Sequence, residues 1–459
     1  MALNILPVEI LSLILQAVDR PRDLLSLIIA SAPCYGTYKL SPHLILSSVV
    51  RNAILPDALP HALAAIYVPV SNPPQVEPLE TFLDEYFQTP SSPFPPDMAG
   101  LVSLCNLYSR VSYFIDDYSS RAMRALVTQP NTERNPSFSP LSPTERARFQ
   151  RAFFRYEIYS LALPADFNAH RNSLFSAHMQ FTHFLHRMEP WEVEEMSCVY
   201  HYFASLIGGF IDHLEDQVAG SPFVPRPPQA QKKSHIDSRR VYGRYDCAFF
   251  KARPGWGQSG FDDEDMVLVD YLDLTDLALF SKDGRYRIPR NISYLASLGS
   301  TFLYQLVLAD DHRRKDMIRE NSPNERHFLP EAIDEALAVR RLLPRTIMPD
   351  EVRDELTHPN LGYHLFKRSD WDVYLPIIRG KENYRLRERA YVFWDAGRIS
   401  SPAATYNLRE ARDVGSDRLN QLLDREGRKS PEERLEGVSI PKTQMEKIEH
   451  EFGSLEECF

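Results

Sequence analysis

The chain has 459 residues, of which 43% are hydrophobic and 11% aromatic, too much apolar surface for a wholly disordered polymer and enough for a sizeable core. Its 35 prolines and 18 glycines suit helices punctuated by proline and argue against a glycine-rich nucleotide fold or a sandwich built on φ > 0 turns. A net charge of −10 excludes a broad electrostatic affinity for nucleic acid or anionic lipid. The five cysteines are dispersed without a CxxC pair, so neither a disulfide framework nor a zinc ribbon is indicated. No apolar run reaches spanning length. The expectation is a protein of the cytoplasm or nucleus, not secreted, with no membrane and no nucleic-acid partner.

Three short apolar segments fill the first 55 residues, each opened by a proline where a helix tolerates one. Pro7 opens the first, with Ile10, Ile14 and Val18 on one row and Leu11 and Leu15 on the next. Asp19 and Pro21 begin the second, which carries Leu24, Leu25, Leu27, Ile28 and Ile29 until Pro33 stops it. Ser41 and Pro42 open the third, followed by Leu46, Val49, Val50, Ala53 and Ile54. The first two segments are apolar nearly all the way round, and a helix of that kind must be covered on every side. A three-helix hairpin covers only one face of its outer helices, so the remainder is expected to meet either the rest of the chain or another protein.

Helical periodicity continues beyond residue 56. Leu101, Leu104, Cys105, Tyr108, Val111 and Ile115 trace one stripe. Ser142, Pro143, Thr144 and Glu145 form a capping box with proline at the first helical position, leading into Phe149, Phe153 and Tyr156. Pro190 opens a helix carrying Met196, Val199, Phe203, Leu206, Ile207, Phe210 and Leu214. Further helices are expected over 262–280, 292–308 and 330–343. Breaks are expected at 90–96 and 129–143, and an irregular stretch over 219–260 that includes a short strand at 245–250. The fold class is mainly α: a three-helix hairpin over 1–55, a large irregular helical domain with long Pro-rich loops over 56–400, and a charged, partly helical or disordered tail over 401–459.

Patterns that elsewhere carry chemistry are weak here. Gly255, Gly257 and Gly260 satisfy G-x-G-x-x-G. However, Asp262 to Asp265 crowd the place a pyrophosphate would take, and no βαβ unit follows. That acidic run, or Asp116 with Asp117, could hold Mg²⁺ on a diphosphate, yet acidic residues in a first helical turn are expected from the helix dipole alone. His178, His183, His186, His201 and His213, near Glu195, Asp212, Glu215 and Asp216, suggest a metal-dependent enzyme, but His178 and His183 lie 140° apart on a helix and no inward Glu-x-x-His pair is present. Cys198 falls inside an amphipathic pattern and reads as an inert thiol. No metal, cofactor or catalytic residue is therefore expected.

The most specific feature is at the start. Leu6-Pro7-Val8-Glu9-Ile10-Leu11, Ile14-Leu15, Asp23-Leu24-Leu25-Ser26-Leu27 and Ala30-Ser31 together resemble the F-box, the helical module that docks onto the Skp adaptor of a cullin-RING ubiquitin ligase. The resemblance implies a non-catalytic, substrate-recruiting subunit whose partners are a Skp-type adaptor with its cullin complex and an unidentified protein target. It implies adaptor contacts from Leu6, Pro7, Ile10, Leu11, Ile14, Leu15, Leu24 and Leu27. Residues 148–157, 190–196 and 387–395 are similar to segments of filamentous-fungal F-box-like proteins of unassigned target, with Trp191 and Trp394 as core anchors. The alternative in another class is a structural or interaction protein whose F-box-like segment is covered by its own body.

Overall fold

A computed structural model describes residues 6–70, 75–88, 92–127, 139–163, 175–219, 224–225, 290–321, 328–329, 332–333, 356–366, 384–413 and 438–439. The architecture is mainly α, as the sequence implies. Among the described residues the one extended pairing is antiparallel, Val224 opposite Ser439 and Pro225 opposite Val438. The helix expected over 262–280, the strand at 245–250, the glycines 255, 257 and 260, the acidic run 262–265 and most of 330–343 lie outside the described residues.

Four helices, not three, form the N-terminal unit: α1 (Val8–Gln16), α2 (Pro21–Ala30), α3 (Ala32–Leu40) and α4 (Pro42–Ala53). The added helix arises because Pro33 has two roles. It ends α2, and it also sits in the first turn of α3, where its missing N–H costs nothing. Ser31, extended at φ −141°, caps α3 by accepting from the Cys34 N–H at 3.5 Å. Within this unit α4 is the platform: Ile45, Leu46, Val49, Val50 and Ala53 are all buried, and α1 and α2 both pack on it.

Two further helices, α5 (Leu59–Tyr67) and α6 (Val76–Gln88), lead to a 30-residue spine, α7 (Met98–Val127). All six residues of the predicted α7 stripe are buried. Against the spine lies α8 (Pro143–Ala162), whose capping box closes as its sequence predicts: Ser142 Oγ accepts from the Glu145 N–H, and Glu145 accepts from the Ser142 N–H at 3.0 Å. After α9 (Ala177–His183) comes α10 (Pro190–Ala219), packed on α8. The aromatic core lies where α7, α8 and α10 meet, with Phe114 edge-on to Phe203 at 4.9 Å and Phe149 stacked on Phe393 at 4.1 Å.

The single helix expected over 292–308 is instead two, α11 (Arg290–Ser297) and α12 (Gly299–Leu308). Gly299 adopts φ +79°, a conformation that suits glycine. The buried Glu157 carboxylate accepts the Ser300 N–H at 2.7 Å, placing an anion at the α12 N-terminus. Further helices among the described residues are α13 (Asp311–Asn321), α14 (Leu361–Phe366), α15 (Tyr384–Glu388), α16 (Ala396–Ile399) and α17 (Pro402–Asp413). Although α17 falls in the expected 401–459 tail, it packs on α7 with Ala404, Leu408 and Ala411 buried, and Asn407 donates to the Leu126 carbonyl at 2.6 Å.

Candidate functional site

The first helix divides its apolar residues between two opposite faces. At 100° per residue, Ile10, Leu13 and Ile14 fall within an arc of roughly 100°, and Leu11 and Leu15 lie on the far side. The structure buries Leu11 and Leu15 against α3 and α4 and leaves the other row in solvent, with Ile10 43% and Leu13 61% exposed. Pro7 is exposed beside them. Leu25 and Ile29 on α2, Tyr35 and Leu40 on α3 and Leu44 on α4 are exposed as well. One small unit thus exposes many large apolar side chains, the composition expected of a docking surface.

The eight residues singled out for adaptor contact therefore separate. Leu6, Pro7, Ile10 and Ile14 are exposed, Leu27 is half-buried, and Leu11, Leu15 and Leu24 belong to the unit's own core. Leu13, Leu25 and Ile29 share the exposure without having been singled out. Their signal was the i, i+3, i+4 spacing from Ile10 to Leu13 and Ile14, and from Leu25 to Ile29.

The second concentration of functional groups is buried. Residues 148–157, 190–196 and 387–395, far apart in sequence, meet around α8 and the first turns of α10. Arg151 holds Glu195 with Nη2 at 2.7 and 2.9 Å from its two oxygens and also donates to the Leu356 carbonyl. Arg155 pairs with Glu192 at 2.8 Å. Arg387 grips Glu194 through Nε and Nη2, both at 2.9 Å, while Tyr391 donates its hydroxyl to the same carboxylate at 3.1 Å. Arg148 reaches Asp395 at 2.8 Å, and Arg398 binds Glu145 through Nε and Nη2 at 2.8 and 2.7 Å. Trp191 and Trp394 are both buried, the latter donating to the Arg389 carbonyl at 2.6 Å.

Burial dominates the proton affinities at this centre. It raises the Glu195 carboxyl against the pull of Arg151 and Arg155, and it pushes the Cys198 thiol well above its usual value with Glu194 adding to the effect. The Tyr118 and Tyr391 hydroxyls are likewise raised, by burial and then by Cys198 and Glu194 charge. His201 is held down to about 3 by burial and by Arg387. Glu145 behaves differently: burial would raise it, but Arg398 and the N–H groups of Ser142 and Asp395 hold it below its ordinary range. At neutral pH His201 is thus an uncharged imidazole and Cys198 a protonated thiol, beside glutamates held by arginines. These ion pairs tie α8, α10 and the 387–398 region together.

The other candidate chemistries disperse. His178 and His186 are exposed, His183 faces Glu80 at 3.5 Å, His201 is buried and His213 faces Asp311 at 3.4 Å. Among the described residues no group of three or more His, Cys, Asp or Glu side chains is placed to hold a metal. Asp117 accepts from Tyr202 at 2.7 Å and pairs with Arg121, while Asp116 pairs with Arg146. No helix of the described residues is long and apolar enough to cross a membrane. No family model, no curated protein and no solved structure matches the chain.

Proposed function

We propose that the chain is the substrate-recruiting F-box subunit of a Skp-cullin-F-box ubiquitin ligase, docking the Skp-type adaptor through the outer face of α1. The observation that carries the reading is the exposure of Leu6, Pro7, Ile10 and Ile14 while Leu11 and Leu15 anchor the same helix inward. The alternative of an F-box-like segment covered by its own body needs those side chains hidden, and they are exposed. In this reading the chain contributes no catalytic residue. It tethers: one surface holds the adaptor, the helical body holds a protein target, and the raised effective concentration near the ubiquitin-loaded enzyme does the rest.

The test is a pull-down of the purified protein with a purified Skp-type adaptor, set beside an Ile10→Ser, Leu13→Ser, Ile14→Ser variant. All three side chains are exposed, so the variant keeps its helical circular dichroism. Losing three aliphatic contacts is expected to weaken binding by roughly 100-fold or more. A well-folded wild type that does not bind the adaptor overturns the proposal.

A further inference from the structure

The last turn of α4 and the residues just after it are fixed from three directions within five positions. Arg51 lays its guanidinium over the Phe94 ring at 4.2 Å, ahead of the spine helix α7. Asn52 Nδ2 donates to the Gln16 and Val18 carbonyls at 2.8 and 3.1 Å, closing the C-terminus of α1, where orphan carbonyls need partners. Gln150 then brackets the chain: its Nε2 donates to the Ala53 carbonyl at 3.0 Å, and its Oε1 accepts the Leu55 N–H at 2.9 Å.

That bracket is unusual in its economy. One side-chain amide satisfies the backbone acceptor before Ile54 and the backbone donor after it, as a neighbouring β-strand would. Gln150 is only 1% exposed, and Ile54 between the two bonds is buried as well. Gln150 also sits on α8 immediately before Arg151, whose pairing with Glu195 ties α8 to α10. The N-terminal unit also packs on α7 through α4 and α2, so the shielded Gln150 bonds add direction to an apolar contact, unlike the polar, contact-poor linker that usually joins domains. The sequence gives the junction as Ala53-Ile54-Leu55-Pro56, with none of the glycine or serine of a flexible connection.

We infer that residues 51–55 form a rigid elbow that holds the outer face of α1 at one fixed orientation to the helical body. Its physical content stands independently of any partner. Its functional meaning rests on the reading of α1 as an adaptor-docking face: a target on the body would be presented to the ligase at constant reach, with no swing at the module boundary.

The elbow is tested by double electron–electron resonance on the full-length protein, with spin labels at Leu13→Cys on α1 and His312→Cys on α13 and the native Cys247 and Cys458 replaced by serine. The wild-type elbow is expected to give a single narrow distance distribution. Gln150→Leu, close in shape but unable to form either bond, is expected to broaden it, and amide exchange at Leu55 is expected to accelerate by at least tenfold. Asn52→Ala, at an exposed side chain, serves as a second variant that loosens α1 without opening the core. A broad distribution in wild type overturns the inference, as does an unchanged distribution in both variants. Adaptor capture by Gln150→Leu separates the two proposals, since no elbow residue lies on the α1 face: binding is expected to survive, and a wild type that binds no adaptor leaves the distance result intact while removing its ligase meaning.

Discussion

The buried Arg151–Glu195 pair makes a prediction whose size depends on pH. Both side chains are almost fully buried, and burial already holds the Glu195 carboxyl above its usual 4.5. Arg151→Met leaves that carboxylate in the interior without its main partner, and the cheapest escape is to take up a proton. At pH 7 that costs at most about 3.4 kcal/mol, from roughly 2.5 pH units at 1.36 kcal/mol each. The lost bond to the Leu356 carbonyl adds about 1 kcal/mol, giving roughly 3–5 kcal/mol, the range found when one partner of a buried pair is removed.

The sign follows from linkage: a carboxyl with a raised folded-state pKa binds its proton more readily when folded, so its penalty grows as pH rises above 4.5 and fades as pH falls toward it. The deficit of Arg151→Met relative to wild type should therefore shrink by up to about 2.7 kcal/mol between pH 7 and pH 5. Glu195→Gln strands a guanidinium that cannot give up its proton, and it also removes the low-pH gain of the raised wild-type carboxyl, so its deficit should not shrink between pH 7 and pH 5. Urea unfolding followed by tryptophan fluorescence measures both. An Arg151→Met deficit that is the same at pH 5 and pH 7 refutes the account.

Protonation of histidine pulls the wild type in the opposite direction. His201 is held to about 3 in the folded protein, so the unfolded chain binds a proton below about 6.5 that the folded one refuses. Stability is expected to fall by about 2 kcal/mol from pH 6.5 to pH 5 through this residue alone, with half-buried His61, lowered by burial and by Arg155 and Arg151, adding in the same direction. His201→Gln should flatten that slope, and urea midpoints at pH 7.5, 6.5 and 5 measure it. Two glycines make a contrasting pair. A Cβ at Gly362 would meet the Tyr391 carbonyl oxygen at 2.0 Å, so Gly362→Ala should cost about 3 kcal/mol. Gly36, mid-helix in α3 with nothing within 4 Å of an added Cβ, should gain about 0.5–1 kcal/mol on substitution by alanine. Thermal melts of the two variants must move in opposite directions.

Much of the fold was legible where one local rule decided the outcome. The α7 stripe, the capping box at Ser142 and the proline opening α10 all appear where periodicity and capping place them. The α3 helix was hidden because a proline that ends one helix also starts the next, and local reasoning credits it with one task. The break at Gly299 was hidden because it depends on Glu157, which is more than 140 residues away in sequence. The greatest loss was in α8. Periodicity treats charge as a mark of the surface, yet Arg148, Arg151 and Arg155 face inward because their partners arrive from α10 and from the 387–398 region. A trace was available: arginines spaced i, i+3, i+7 on one helix and glutamates at i, i+3 on another are complementary rows.

The chain departs from the usual partition of residues at two places, in opposite senses. The body carries charges inside, and the N-terminal unit carries aliphatic side chains outside. The first departure is compensated in charge within the molecule, because Arg148, Arg151, Arg155 and Arg387 each have a carboxylate within 2.9 Å. The second is not compensated among the described residues: Leu6, Ile10, Leu13 and Ile14 are exposed, as the proposed docking face requires. The polar centre holds 148–157, 190–196 and 387–395 together through those pairs. In the proposed reading the plain aliphatic row on α1 supplies the binding energy, and the elbow at 51–55 holds that row to the body without contributing to it.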